Sequence, residues 1–346
     1  MPWHKPWRIP VPVNPIRSNP IGTSTFLLAL HGYGLPYWLT YLPSAGAWQK
    51  TAILIDNGKW PSLSCDKVAT MTRAAADEQP FRHYGAKHRL VAWISQHLFD
   101  DLTYTVQHGL NKGMKRKGGL GWLPEFLTSS AKTPEEVFWS NLNLRDMVVY
   151  DVGAFEGLLT LYFARQARTV ISYEPNIRNH AHLIQNLQVN RVKNVIVRKL
   201  GVGSETCRAV MAASPLMLGG ASIESNAVEG LRNSNLPIIL EEISVVRLDD
   251  DIRDASLPAP DFIKFDIEGL ELAALKGAHQ TIQVCRPQLF LEIHGETMNL
   301  KRKNVREIVA YLEKLGYGNI QHVETGKPIN SAAASDAARG HIHCVP

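Results

Sequence analysis

The sequence predicts an α/β fold: a mostly parallel sheet with helices on both faces, behind an N-terminal extension. Three observations carry that reading. From about residue 147 onward, short apolar runs alternate with helical patterns, the rhythm of βαβ units with right-handed crossovers. The first apolar run ends in a glycine turn, Asp151-Val152-Gly153-Ala154-Phe155-Glu156-Gly157, which opens a helix. Acids close later runs at Glu174, Asp266 and Glu292, the strand ends where an open parallel sheet binds its ligand.

The elements follow in order. Met147 to Val152 reads as a buried strand, and Gly157 to Arg165 as a helix. Thr169 to Tyr173 is a second strand, closed by Glu174-Pro175. Asn176 caps a helix to about Asn190, with Ile177, Ala181, Ile184 and Leu187 on one face. Val195 to Val197 is a third strand. The alternation lapses between 204 and 242, as an insertion or loops over the sheet would cause. It resumes with a strand at Phe262 to Phe265, a helix at Leu270 to Lys276 and a strand at Leu289 to Ile293. An amphipathic helix follows, with Val305, Ile308, Val309, Leu312 and Leu315 on one face and Gly316 as its stop. His341 to Val345 is expected as a final edge strand. Upstream, Thr133-Pro134-Glu135-Glu136 has the form of a capped helix start with a capping box.

The domain with this Rossmann-like pattern is expected to run from 133 to 346. Before it, residues 1–20 hold six prolines and read as an extended arm, and residues 21–132 as a mixed or helical region. Leu90, Val91, Ile94 and Leu98 recur at helical spacing, which predicts a helix within 87–110. The glycine-rich stretch from Gly113 predicts a loop, and the basic run Lys112 to Lys117 a solvated part of it. Phe26 to Pro43 is the nearest approach to a membrane span. His31, Gly32, Gly34, Pro36 and Pro43 spoil it as a helix of about 20 apolar residues, so no span is expected.

Composition bounds the function. The 346 residues are 45% hydrophobic and 20% charged, enough for a sizeable core. A formal charge of +5 without an arginine-rich stripe argues against nucleic acid. Cys65, Cys207, Cys285 and Cys344 form no C-x-x-C pair, so neither a disulfide framework nor a zinc knuckle is expected. No secretory pattern opens the chain, and a cytoplasmic location is expected.

Two groups of residues carry candidate chemistry. In the first, Gly153 allows a tight turn and Gly157 a close helix start with free N–H groups. Asp151 is placed to hold an ammonium group, directly or through water. Glu174 follows Gly153 by about 20 residues, the spacing of an acid that accepts ribose hydroxyls. Gly153 and Gly157 are four apart, unlike the G-x-G-x-x-G turn that cradles a pyrophosphate. That disfavours a nicotinamide-dependent oxidoreductase and favours a smaller charged head, such as an amino-acid group. In the second group, Asp266, Glu268, Glu292 and His294 stand at later strand ends and converge on the same cleft. Structural roles compete with chemistry here: Asp266 can pair with Lys264 or cap a helix. No compact carboxylate loop is present, so no metal is expected.

The blocks VVYDVGAFEG, ISYEPN, LIQNLQVN, VVRLDD, DFIKFDIEGLELAALKGA and QLFLEIHG occur in the order found in FkbM-type methyltransferases, which the chain resembles over about residues 100–325. Residues 1–80 match nothing in that family. The resemblance implies a class I methyltransferase fold with a seven-stranded sheet and S-adenosylmethionine as cofactor. It implies O-methylation of a small hydroxylated metabolite or glycan. Asp151, Gly153, Ala154, Gly157, Glu174 and Asp266 become the expected cofactor contacts, and the Asp266–Glu268 block borders the transferred methyl. An alcohol needs a base as the methyl arrives, and Glu268 and His294 are the candidates, with Glu268 favoured. A non-catalytic cofactor-binding module of the same fold is the alternative.

Overall fold

This computed structural model describes the backbone of residues 28–30, 37–44 and 47–54, and the full structure of residues 102–118, 132–213 and 238–346. The chain divides into two units, Met1–Ala76 and Asp77–Pro346.

In the first unit, β1 (Leu28–Leu30), β2 (Tyr37–Ser44) and β3 (Ala47–Leu54) form an antiparallel sheet in that order. The described part of the apolar stretch Phe26 to Pro43 is therefore strand. Among the described residues of the whole chain, no helix is long and apolar enough to cross a membrane.

The second unit begins its described part with a hairpin, β4 (Thr103–Thr105) and β5 (Lys115–Lys117), and α1 (Pro134–Asn141). There follow β6 (Val148–Val152), α2 (Leu158–Ala164), β7 (Thr169–Tyr173), α3 (Ile177–Val189) and β8 (Val195–Arg198). A small sheet of β9 (Gly201–Val202), β10 (Cys207–Ala213) and β11 (Ile239–Val246) fills the lapse in alternation, in the order β10-β11-β9. Then come α4 (Leu248–Asp254), β12 (Phe262–Phe265), α5 (Glu271–Gly277), α6 (His279–Cys285) and β13 (Gln288–Glu292). The chain closes with α7 (Met298–Lys314), β14 (Asn319–His322) and β15 (His341–Val345).

Seven strands form the main sheet in the order β14-β15-β13-β12-β6-β7-β8. β13, β12, β6, β7 and β8 pair in parallel, and β15 runs antiparallel to both its neighbours. Strand alternation divides the core between the two faces. Val148, Tyr150, Val152, Ile171, Ile263, Phe265, Leu289 and Leu291 pack with α4 to α7. Val149, Val170, Phe262 and Phe290 pack with Trp139 of α1 and Phe163 of α2. This is the class I methyltransferase architecture.

The local signals hold at helix ends. Thr133 accepts from the Glu136 N–H at 3.1 Å, and the Glu136 carboxylate accepts from the Thr133 N–H, a complete capping box. Asn176 caps α3 through the N–H groups of Arg178 and Asn179. Gly316 stops α7 at a φ of +81°.

Two expectations are corrected, and a third lies mostly outside the described residues. His341 to Val345 is a strand, but it lies inside the sheet. β14 takes the edge, and its polar sequence Asn-Ile-Gln-His gave little apolar alternation to reveal it. The predicted helix within 87–110 keeps Leu90, Val91, Ile94 and Leu98 outside the described residues, and Thr103–Thr105 is strand. The basic run is not all solvated loop: Lys115–Lys117 pairs with β4 and lies along α3. Backbone N–H groups of Lys115 and Lys117 donate to Asn190 and Asn186 of α3, and this turns Arg116 inward onto Glu156 at 2.6 Å.

Candidate active site

β6 and β12 are neighbours in the sheet, but the chain continues from β6 to one side and from β12 to the other. Loops beyond the strand ends part at such a switch point and leave a crevice. A cavity of about 320 Å³ opens there. Gly153, Glu174, Asp266, Glu268, Glu292 and His294 all line it, whereas Asp151, Ala154 and Gly157 do not.

The glycine turn shapes one wall. Gly153 has a φ of +83°, and a side chain there would bring its Cβ within 1.8 Å of the Asp266 carbonyl oxygen. Glycine is required because the turn after β6 presses against the end of β12, as well as for the turn itself. Gly157 allows the expected close packing: its Cβ would meet Leu183 of α3 at 2.2 Å. Ala154 is buried with Leu161, Leu183 and Leu187 and faces that core. Phe155, which lines the cavity, is held at a φ of +52°, and Glu268 in the opposite loop at +54°. Both are left-handed conformations uncommon outside glycine.

Asp151 lies beneath the cavity. It is fully buried, accepts from the Thr160 hydroxyl at 2.6 Å and meets the Lys264 ammonium at 3.1 Å. It is not among the residues that line the cavity, which leaves contact through its neighbours or through water as the route to the ammonium group its strand-end position suggested. Lys264 also donates to the Gly153 carbonyl at 3.0 Å and stands 3.3 Å from Asp266. Burial opposes its charge, but Asp151 and Asp266 overcome this and raise its pKa. The pairing of Lys264 with Asp266 weighed at the sequence level is present, with Asp151 as the second partner.

Glu174 is buried at the end of β7. One carboxylate oxygen accepts from the Phe155 N–H at 2.8 Å and the other from the Asn176 N–H at 2.9 Å. Burial raises its pKa to about 7, against the pull of those N–H groups and of Lys264. Around it the lining is largely apolar: Leu200, Val202, Met211, Ile243 and Val245. Four of these come from the small sheet, and nothing in the sequence marked that sheet as part of the site.

The opposite wall is dense in charge. His294 Nδ1 hydrogen-bonds to Glu271 at 2.8 Å, while its Nε2 lies 3.7 Å from Asp266, 3.6 Å from Glu292 and 3.9 Å from Glu268. Burial alone would lower the His294 pKa, but Glu271 and the other carboxylates raise it to about 9. At neutral pH it is already protonated, which makes it a poor acceptor of a further proton. Burial pushes Asp266 upward, with Lys264 opposing. Burial also works against ionised Glu292, yet His341 and His294 hold it well below the usual carboxylate range. His341 is bound in turn to Glu324 at 2.6 Å.

Glu271 orients His294. The same Glu271 oxygen accepts the N–H groups of Ile267 and Gly269, so it also holds the 266–270 loop. Its position one turn into α5 was visible in the sequence. The contribution of His341, from a strand remote in the chain, was not.

Residues 151–318 match the family model of the methyltransferase FkbM domain. This segment is thus similar to the methyltransferase FkbM domain. S-adenosylmethionine is the cofactor of the FkbM domain. The buried acid of Glu174 beside an apolar wall suits a ribose and adenine. The FkbM methyltransferase of Methylobacillus flagellatus KT is 22% identical with a TM-score of 0.38, over 61% of this chain and 50% of that one. The chain thus spans about half the length of that relative. The precorrin-6y C5,15-methyltransferase of Geobacter metallireducens GS-15 is 17% identical with a TM-score of 0.31, over 54% and 70% of the two chains. TYW2 of M. jannaschii, in complex with AdoMet, is 13% identical with a TM-score of 0.33, over 71% and 84%. No curated protein matches the chain.

Proposed function

We propose that this protein is an S-adenosylmethionine-dependent methyltransferase that methylates a hydroxyl group of a small metabolite or sugar. The observation that carries the reading is one cavity with two unlike walls: buried Glu174 in apolar surroundings on one side, and Glu268 among charged groups on the other. When bound, the cofactor supplies a methyl group already activated by a sulfonium. Glu174 accepts the ribose hydroxyls through the lone pairs left by Phe155 and Asn176. The 153–157 turn receives the amino-acid end, with Asp151 acting from below through Lys264 and Gly153. Asp266, between the walls, contacts both cofactor and acceptor.

Glu268 takes the hydroxyl proton as the oxygen–methyl bond forms and the sulfur–methyl bond breaks. His294, already protonated, offsets the repulsion among the carboxylates around it and is the weaker candidate for base. The remaining work is alignment and exclusion of water.

Calorimetry with S-adenosylmethionine, and with NADH as control, tests the cofactor assignment. Binding of NADH alone overturns it. An untargeted search of cell extract for a metabolite that gains a methyl tests the rest. Methyl gain on a nitrogen would correct the acceptor class, and cofactor binding without any turnover would favour a non-catalytic module.

A further inference from the structure

We propose that Asp266, Glu292 and His294 form a site for a hard divalent cation on the acceptor side of the cavity. The sequence offers no contiguous carboxylate loop, but the fold brings one ligand from the end of β12 and two from the end of β13. One ligand atom from each lies within 4.8 Å of the others. Around a cation with bonds of about 2.1 Å, neighbouring ligand atoms stand about 3 Å apart, so small rotations of two carboxylates close the set.

The histidine supplies the independent observation. His294 is nine-tenths buried, and its Nε2 is aimed into this group without a hydrogen bond of its own. Its three carboxylate neighbours, at 3.6–3.9 Å, are all beyond normal hydrogen-bond length. The other ring nitrogen explains why. Glu271 accepts two backbone N–H groups and is therefore an acceptor toward His294, so Nδ1 carries the proton. A ring fixed in this way by a carboxylate presents Nε2 as a ligand, the usual support of a metal-binding histidine. With a cation present, Nε2 gives up the proton it otherwise carries, and the cation replaces that charge among Asp266 and Glu292. Two carboxylates with one imidazole suit manganese, which takes both donor types, better than magnesium, which keeps to oxygen, or a thiophilic metal.

The use of the site rests on the methyl-transfer reading: a cation there would bind the acceptor oxygen and make its proton easier for Glu268 to remove. Its existence does not rest on that reading, and the test separates the two. Mn²⁺ is titrated into the full chain, and free Mn²⁺ is followed by electron paramagnetic resonance; S-adenosylmethionine affinity is measured in parallel by calorimetry. The expected result is one saturable Mn²⁺ per chain. Binding should weaken tenfold or more in His294→Ala and in Glu292→Gln, each shown to be folded by circular dichroism, while cofactor affinity stays close to wild type. No saturable Mn²⁺ uptake by a folded chain that binds the cofactor overturns the proposal, and so does uptake that survives in both variants. Mn²⁺ uptake that depends on these residues in a chain that binds no S-adenosylmethionine keeps the site and removes the methyl-transfer reading.

Discussion

On the β6–β7 side of the cavity, charge is sparse and neutral groups satisfy it. Glu174 is held by two backbone N–H groups, and its neighbours are Leu200, Val202, Met211, Ile243 and Val245. On the β12–β13 side, Asp266, Glu268, Glu271 and Glu292 gather around one imidazole, with His341 behind. Burial acts on both sides with different outcomes. Where mainly N–H groups oppose it, with Lys264 adding a smaller pull, burial wins and Glu174 rises to about 7. On the charged wall, full charges overcome burial at two groups, so that His294 rises to about 9 and Glu292 falls, while at Asp266 burial still prevails over Lys264. The first wall suits recognition of a neutral sugar and base. The second suits handling of protons and cations.

The comparison breaks most sharply at Glu268. Glu268→Gln should lower the turnover rate about 10²–10⁴-fold and leave cofactor affinity nearly unchanged, the signature of a positioned base. Steady-state rates together with calorimetry check both halves. Normal turnover in Glu268→Gln with loss in His294→Ala would move the base to the histidine.

A smaller effect concerns stability. In the metal-free chain His294 has a raised folded pKa. Its contribution is fully present below the unfolded value of about 6.5 and is lost as pH rises through about 9. Thermal or urea unfolding should show wild type losing on the order of 2–3 kcal/mol across that window, and His294→Gln losing distinctly less. Parallel curves for the two proteins would mean that the charged wall does not hold the imidazolium in place.

Glu174 tests the other wall. Glu174→Ala should weaken S-adenosylmethionine binding by about 1–3 kcal/mol. With a pKa of about 7, the wild-type carboxylate gains its second accepting oxygen as pH rises, so affinity should be higher at pH 8 than at pH 6. Calorimetry at the two values should find that difference reduced in the variant. Equal affinities in a folded Glu174→Ala chain would remove Glu174 from the ribose site.

The smallest expected effect is none. A chain beginning at residue 21 should bind the cofactor as the full chain does, because six prolines in the first 20 residues disfavour a packed element. Lost binding would give that arm a part in the site.

Local pattern alone determined most strands and helices of the main sheet and the acids at its strand ends. The run before Gly153, the Thr133–Glu136 capping box and the α7 stripe each depend on residues within a few positions of one another, and local pattern reads them directly. The acids at Glu174, Asp266, Glu268 and Glu292 were legible for the same reason: parallel strands share a ligand end, so an acid closing a strand is already located. Other features required knowing which distant strands become neighbours. β15 lies inside the sheet because it pairs with both β13 and β14. Lys264 faces Asp151 because β12 pairs with β6 in a register that sets these two residues side by side. Arg116 is buried because a hairpin from ahead of the domain lies along α3. A buried charge takes its partner from whatever the fold brings near it, and sequence spacing carries no record of that. The directions of the His294 and Glu292 pKa shifts were therefore set only in three dimensions.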